Sequence, residues 1–259
     1  MGDLLRSLPG QSPHLVLEAV AYLVASRTYW ARARTQPRPP RAVDRWLLVA
    51  CAIAGAAIGS KSLHVLEHLP TLWRQGAVAG WLGGKSVLGG LIGGTLAVEA
   101  GKRAIGWRPS TGDAWVPAIA IGLMIGRTGC QLSGLWDQTY GTPTALPWGW
   151  DYGDGVPRHP VALYEIALVG LAWWGVARWR VAPPGARFAA FLAAYCAIRL
   201  LLEFFKPPFG PTTAAELADT LPVARWAGLT AIQWTAGAGL AGYLAMLRHR
   251  LRPPASTTR

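Results

Sequence analysis

Seven stretches of the chain stay apolar for about the length of a membrane-spanning helix: residues 14–31, 45–60, 87–105, 114–132, 160–178, 187–205 and 226–247. Such a helix needs roughly 20 predominantly apolar residues. Between the second and third, residues 62–82 are amphipathic and carry Trp73 and Trp81, the pattern of a segment lying at an interface. The pattern predicts an all-α polytopic membrane protein with seven transmembrane helices. Residues 1–259 form a single integral membrane domain, with a loop at 133–158 and a basic tail at 248–259.

Composition agrees with that reading. The 259 residues are 52% hydrophobic and only 15% charged, with 14 Trp. A soluble domain carries roughly 25% charge. The net charge of +12 is explained by where the cations fall. Loops after the first, third and fifth spans, with the C-terminal tail, hold fifteen Lys and Arg; the opposite loops hold seven. By the positive-inside rule the N-terminus is outside and the C-terminus cytoplasmic. No aromatic-and-basic motif points to nucleic acid, and no zinc-type spacing points to a metal, so neither partner is expected. Cys51, Cys130 and Cys196 lie in or beside apolar spans and read as small packing residues. The first residues lack the basic-then-apolar order of a cleaved leader, so the first span is expected to remain as an anchor.

Arg127 and Arg199 stand out because each interrupts a spanning segment. An arginine at the centre of such a helix costs about 2.5–3.5 kcal/mol on insertion scales. An anion must meet each of them. One source is internal: Glu165 or Glu203 for Arg127, and Glu203, four residues on, for Arg199. The other is a lipid phosphate, which a guanidinium fork holds through two hydrogen bonds. The predicted topology puts both arginines toward the outer face. His159, Tyr164, Glu165 and Lys85 fall on the same side, under the 133–158 loop.

His159 precedes Pro160 at the start of a span, a place that suits a capping histidine or a general base at the water interface. His64 and His68 read as interfacial surface residues. Residues 83–94 contain two overlapping G-x-x-x-G pairs, Gly89 with Gly93 and Gly90 with Gly94. These serve close helix packing, or let a headgroup approach a helix start whose free N–H groups favour phosphate.

In this order the pieces resemble the prolipoprotein diacylglyceryl transferase family. Four blocks carry the resemblance, residues 83–94, 126–150, 158–165 and 195–207, with a weaker fifth at 228–234. The resemblance implies a bacterial inner-membrane enzyme without a cofactor. It would move the diacylglyceryl group of phosphatidylglycerol onto the lipobox cysteine thiol of a prolipoprotein signal peptide, releasing glycerol phosphate. Arg127 falls in the family's G-R-x-G signature with Gly129 and Gly134, and Arg199 in its R-x-x-x-E-F-F segment. His159, Tyr164, Glu165, Tyr195 and Glu203 match polar positions of the other blocks. On this reading Arg127, Arg199, His159 and Glu203 are catalytic. Gly89, Gly90, Gly129, Gly134, Tyr164, Glu165, Tyr195 and Lys85 join the arginines in binding substrate.

The chain also departs from the pattern. Leu88 occupies the place of a family histidine often given a catalytic role. Cys130 stands where many members have Asn, Glu18 near the place of a first-span tyrosine, and residues 135–140 replace the usual stretch after the signature. Two alternatives therefore stay open: a related transferase with another acceptor, and a non-catalytic lipid-binding protein on the same scaffold.

Overall fold

In the computed structural model the apolar stretches form helices, described over residues 11–36, 39–69, 84–137, 139–207 and 225–252. Seven α-helices lie in these residues: α1 Gln11–Arg34, α2 Ala42–Glu67, α3 Val87–Ala104, α4 Trp115–Ser133, α5 Val161–Arg178, α6 Ala186–Leu202 and α7 Ala231–Leu251. Three segments, Ala42–Glu67, Val161–Arg178 and Ala186–Phe205, are long and apolar enough to cross a membrane. Gly83, Arg6, Arg38, Arg74, Arg259 and most of the segment expected at the interface lie outside the described residues.

Three expected boundaries move, one of them at the seventh span, read from 226, where residues 225–226 and 229–230 form a short strand pair and the helix begins only at Ala231. The second span was read as 45–60, but α2 runs to Glu67 and absorbs the start of the amphipathic segment. The alternation of His64, Glu67 and His68 with apolar residues is compatible with a helix whether or not it spans. The first span was read from residue 14, and α1 begins at Gln11, which puts His14 inside a helix.

The ends are set by local chemistry. Ser86 caps α3, its hydroxyl accepting from Gly89 N, and Thr230 and Gln233 cap each other's backbone at α7. The first turn of α6 is capped from a distance. Asp113, in the 3-10 turn Gly112–Ala114, accepts from Gly185 N at 2.7 Å and Phe188 N at 2.9 Å. Gly134, with φ of 61°, closes α4 in a conformation that side chains resist.

Helices pack as α2 with α3, α1 with α4, and α6 with α7, while α4, α5 and α6 run side by side. Their shared core includes Leu88, Val116, Val169, Phe191, Tyr195 and Ile232. Large apolar side chains also point outward, among them Leu15, Leu23, Trp46, Ile53, Ile58, Leu171, Trp174 and Phe204. Lipid is the solvent in which such a surface carries no penalty. Two strand pairs decorate the bundle: β1 Trp150–Asp151 with β2 Pro157–Arg158, and β3 Arg225–Trp226 with β4 Leu229–Thr230.

The α2–α3 pair explains one glycine motif. A Cβ on Gly55 or Gly59 would strike the carbonyls of Gly93 or Gly89, and the reverse substitutions meet the carbonyls of Gly55 and Gly59. Gly89 and Gly93 thus seat one backbone on another, as small residues do in membranes. At Gly90 the nearest neighbour of an added Cβ is Ala56 O, at an ordinary 3.4 Å. Gly59→Val is therefore expected to cost about 1–3 kcal/mol or more, while Gly90→Ala stays within about 1 kcal/mol of the parent. Thermal unfolding of the detergent-solubilised protein checks the contrast; equal midpoints for the two variants would contradict it.

Candidate functional site

One carboxylate gathers Arg127 and Arg199. Glu165, on the second turn of α5, is 1% exposed. Its Oε2 lies 2.9 Å from Arg127 Nε of α4 and 2.8 Å from Arg199 Nη1 of α6. Its Oε1 accepts from the Tyr195 hydroxyl at 3.1 Å. Three helices that are neighbours in the bundle thus meet at one acidic side chain. Arg199 also reaches Glu203 Oε2 at 3.5 Å, and Lys206 Nζ approaches the same oxygen at 3.6 Å.

The internal source of anions foreseen for the arginines is therefore real, and it is Glu165 for both. Glu203, the nearer partner of Arg199 in sequence, is the more distant one in space. Glu67, at the end of α2, is a third carboxylate in electrostatic reach of Lys206, Arg199 and Glu203. Three cations, Arg127, Arg199 and Lys206, thus face three carboxylates, Glu165, Glu203 and Glu67. Arg127 is the more exposed of the two arginines, at 13% against 5% for Arg199.

His159 sits on the rim instead. Its backbone pairs with the loop before it: His159 N donates to Thr142 O at 3.0 Å and Gly141 N donates to His159 O at 2.9 Å. Nδ1 of its ring lies 3.2 Å from the Tyr164 hydroxyl, which accepts from Trp148 Nε1 at 2.8 Å. With one lone pair engaged, that hydroxyl can donate to Nδ1 and leave the imidazole proton on Nε2. The ring packs edge-on against Phe205, centroids 5.1 Å apart. Thr142 N donates to Phe205 O at 2.7 Å, tying the loop to the end of α6. Arg158 is spoken for: it grips Asp154 through two 2.7 Å hydrogen bonds and lies over Tyr140. Those bonds hold the Asp154 carboxyl below its ordinary range.

The remaining expected residues divide. Tyr195 and Glu203 join the Glu165 cluster, and Tyr164 joins His159. Gly89 is buried beneath α2, so its packing role is the one realised, while Gly90 is half-buried. Gly129 seats the first turns of α1, where an added Cβ would lie 3.2 Å from Leu17 Cβ and 3.4 Å from His14 Cα. Gly134 turns the chain at the end of α4. Lys85 pairs with Glu18 of α1, away from the arginine cluster's own hydrogen bonds. Leu88 is 2% exposed and belongs to the apolar core.

A second polar group adjoins the first and was missed by sequence reasoning. Cys130 Sγ lies 3.7 Å from Arg127 Nη1 and 3.8 Å from His14 Nδ1. That same nitrogen is 2.7 Å from Asp137 Oδ1, and His14 Nε2 is 3.6 Å from Glu18 Oε2. Glu18 also accepts from the Tyr22 hydroxyl at 3.0 Å. His14 and Cys130 are more than a hundred positions apart, and no local spacing links them. The signal available was the departure at Cys130 and at Glu18.

The family model described as prolipoprotein diacylglyceryl transferase matches residues 16–246. A phosphatidylglycerol–prolipoprotein diacylglyceryl transferase of Bordetella parapertussis is 34% identical over 206 residues, covering 74% of this chain and 75% of that protein. One of Rhodospirillum centenum is 33% identical over 213 residues, 73% of this chain and 74% of its own length. One of Geobacter sulfurreducens is 42% identical over 136 residues, about half of each chain at 49% and 50%.

Removing the shared carboxylate leaves two buried cations facing each other. Glu165→Gln is therefore expected to destabilise the protein by about 3–5 kcal/mol, and Tyr195→Phe by about 1–3 kcal/mol. Unfolding in mixed detergent micelles measures both. A Glu165→Gln protein as stable as the parent would show that the arginines do not depend on this carboxylate.

Proposed function

This chain belongs to the prolipoprotein diacylglyceryl transferase family, and on that premise we propose that it moves the diacylglyceryl group of phosphatidylglycerol onto the lipobox cysteine of prolipoproteins. It is a transferase by family and by the names of its relatives. The observation that carries the assignment to a site is the pair of arginines on Glu165, of which Arg127 is the more exposed.

The reaction requires a sulfur nucleophile and a phosphate that departs with a bonding electron pair. The thiol loses its proton, a carbon–sulfur bond forms at the glyceryl carbon, and the carbon–oxygen bond to phosphate breaks. Arg127 binds the phosphate and its departing form, and Arg199 backs it from behind Glu165. Fixed charge in a water-poor site acts on such a leaving group more strongly than it would in solution. Tyr195 and Glu203 keep the two guanidinium groups oriented. His159, on its Tyr164 hydrogen bond, accepts a proton at the rim.

In this reading the seven helices span the bacterial inner membrane, with the N-terminus outside and the C-terminus cytoplasmic. The whole chain is one integral domain whose 133–158 loop covers the outer face. The basic ends of α1, α3, α5 and α7 support that orientation. A second reading rests on Leu88. Its burial in an apolar core removes a polar side chain present in relatives of the family pattern, and favours a related transferase with another acceptor, or a lipid-binding protein without chemistry.

Purified protein with labelled phosphatidylglycerol and a lipobox peptide tests the assignment. Arg127→Ala and Arg199→Ala should each lower transfer by about 100-fold or more while still inserting, and Arg127→Lys should not restore it. Full activity in both alanine variants would remove the phosphate-binding role. His159→Gln should slow transfer most below neutral pH, where thiol deprotonation needs the most help. Parental rates across pH 6–8 would exclude His159 as the base.

A further inference from the structure

We propose that His14, Cys130 and Asp137 form a zinc-class metal site whose fourth position receives the acceptor thiol. The site rests on geometry. His14 Nδ1, Cys130 Sγ and an Asp137 carboxylate oxygen all lie within 4.8 Å of one another. The Cys130 and Asp137 atoms approach the same ring nitrogen, at 3.8 Å and 2.7 Å. A proton relay between Cys130 and Asp137 would need them on opposite nitrogens, as in a Ser–His–Asp triad, and the group on the other nitrogen, Glu18, stands at 3.6 Å, beyond hydrogen-bond reach. Convergence of nitrogen, sulfur and oxygen on one point is instead the arrangement of metal ligands. The edges of a tetrahedral zinc site with these donors are roughly 3.3–3.6 Å, so the His14–Asp137 pair has to open by about half an ångström.

The surroundings fit the same function. A metal-bound imidazole generally gives its other N–H to a carboxylate, and its carboxylate co-ligands are themselves hydrogen-bonded. Here Glu18 faces His14 Nε2 at 3.6 Å and is held by Lys85 and Tyr22. Thr139 Oγ1 donates to the other Asp137 oxygen, Oδ2, at 2.6 Å, leaving Oδ1 toward the ring. Arg127 Nη1 lies beside the sulfur. Cys130 and Asp137 are nearly buried, and His14 is 20% exposed, so one side stays open. A thiolate, an imidazole and a carboxylate select zinc over magnesium or calcium, and three protein ligands with an open place mark a reactive site more than a structural one.

The site supplies what Leu88 takes away. A thiol that coordinates such an ion is deprotonated outright. On binding, the acceptor thiol loses its proton, which His159 takes up at the rim. Its sulfur electron pair then forms the carbon–sulfur bond as the glyceryl carbon–oxygen bond breaks, and the phosphate oxygen keeps the freed pair beside Arg127. Nothing is oxidised or reduced. The ion site stands without the transferase reading; the identity of the fourth ligand rests on it.

Cobalt(II) tests both parts on the full-length protein in detergent after chelator dialysis. One equivalent should bind, with a thiolate-to-cobalt absorption band in the near ultraviolet that Cys130→Ser removes and Cys196→Ser retains. His14→Ala and Asp137→Ala should weaken cobalt binding by about 100-fold or more, and Glu18→Gln by about 10-fold. Circular dichroism confirms that each variant is folded. A folded parent that binds no cobalt, or a band that survives Cys130→Ser, overturns the site. A lipobox peptide should shift the visible cobalt bands, and its serine counterpart should not; bands unmoved by the thiol overturn the acceptor role. Arg199→Ala protein should bind cobalt like the parent. If cobalt binds while no preparation transfers lipid, the transferase reading falls and the metal site stands.

Discussion

The Glu165 carboxylate is the constraint on which the interior depends. Each arginine alone would be a costly insertion, and two together would repel. One carboxylate between them turns both into ligands of a single point, 2.9 Å and 2.8 Å away. Because Arg127, Glu165 and Arg199 come from three successive helices, that point also fixes the relative depth of α4, α5 and α6. A buried pair of this kind is a poor source of stability compared with apolar packing, since desolvation offsets most of the attraction.

Much of this was legible in the chain. Apolar runs near spanning length mark helices, and each of the seven predicted segments overlaps one, although the seventh opens on a short strand pair. A lone arginine in such a run is conspicuous, so Arg127 and Arg199 were visible at once. Their partner was among the named candidates because intramembrane carboxylates are equally rare. What could not be read was which carboxylate. Helix spacing favours Glu203 for Arg199, whereas the packing of α5 against both neighbours brings Glu165 closer.

The His14–Cys130–Asp137 group was illegible for a different reason. Its members come from α1, α4 and the 3-10 turn after α4, and only tertiary packing unites them. The approach depends on Gly129, which carries no side chain where the first turns of α1 cross. A glycine in a sequence signature does not state what it makes room for. Likewise the G-x-x-x-G pairs leave open whether the neighbour is a lipid or a helix; the facing glycines Gly55 and Gly59 decide it for Gly89 and Gly93. The second span erred at its C-terminal end because an amphipathic turn can continue a helix as readily as it can lie beside one.

Asp113 carries a consequence for how the chain assembles. It completes the first turn of α6 from a residue that precedes α4, across two intervening helices. The leading amides of α6 meet that carboxylate only when α4 and α5 have folded back on each other, so the start of the sixth helix is registered by the hairpin before it. The bundle is thereby clasped at the end away from Glu165, and the polar centre inherits its alignment from a contact made at the opposite ends of the helices.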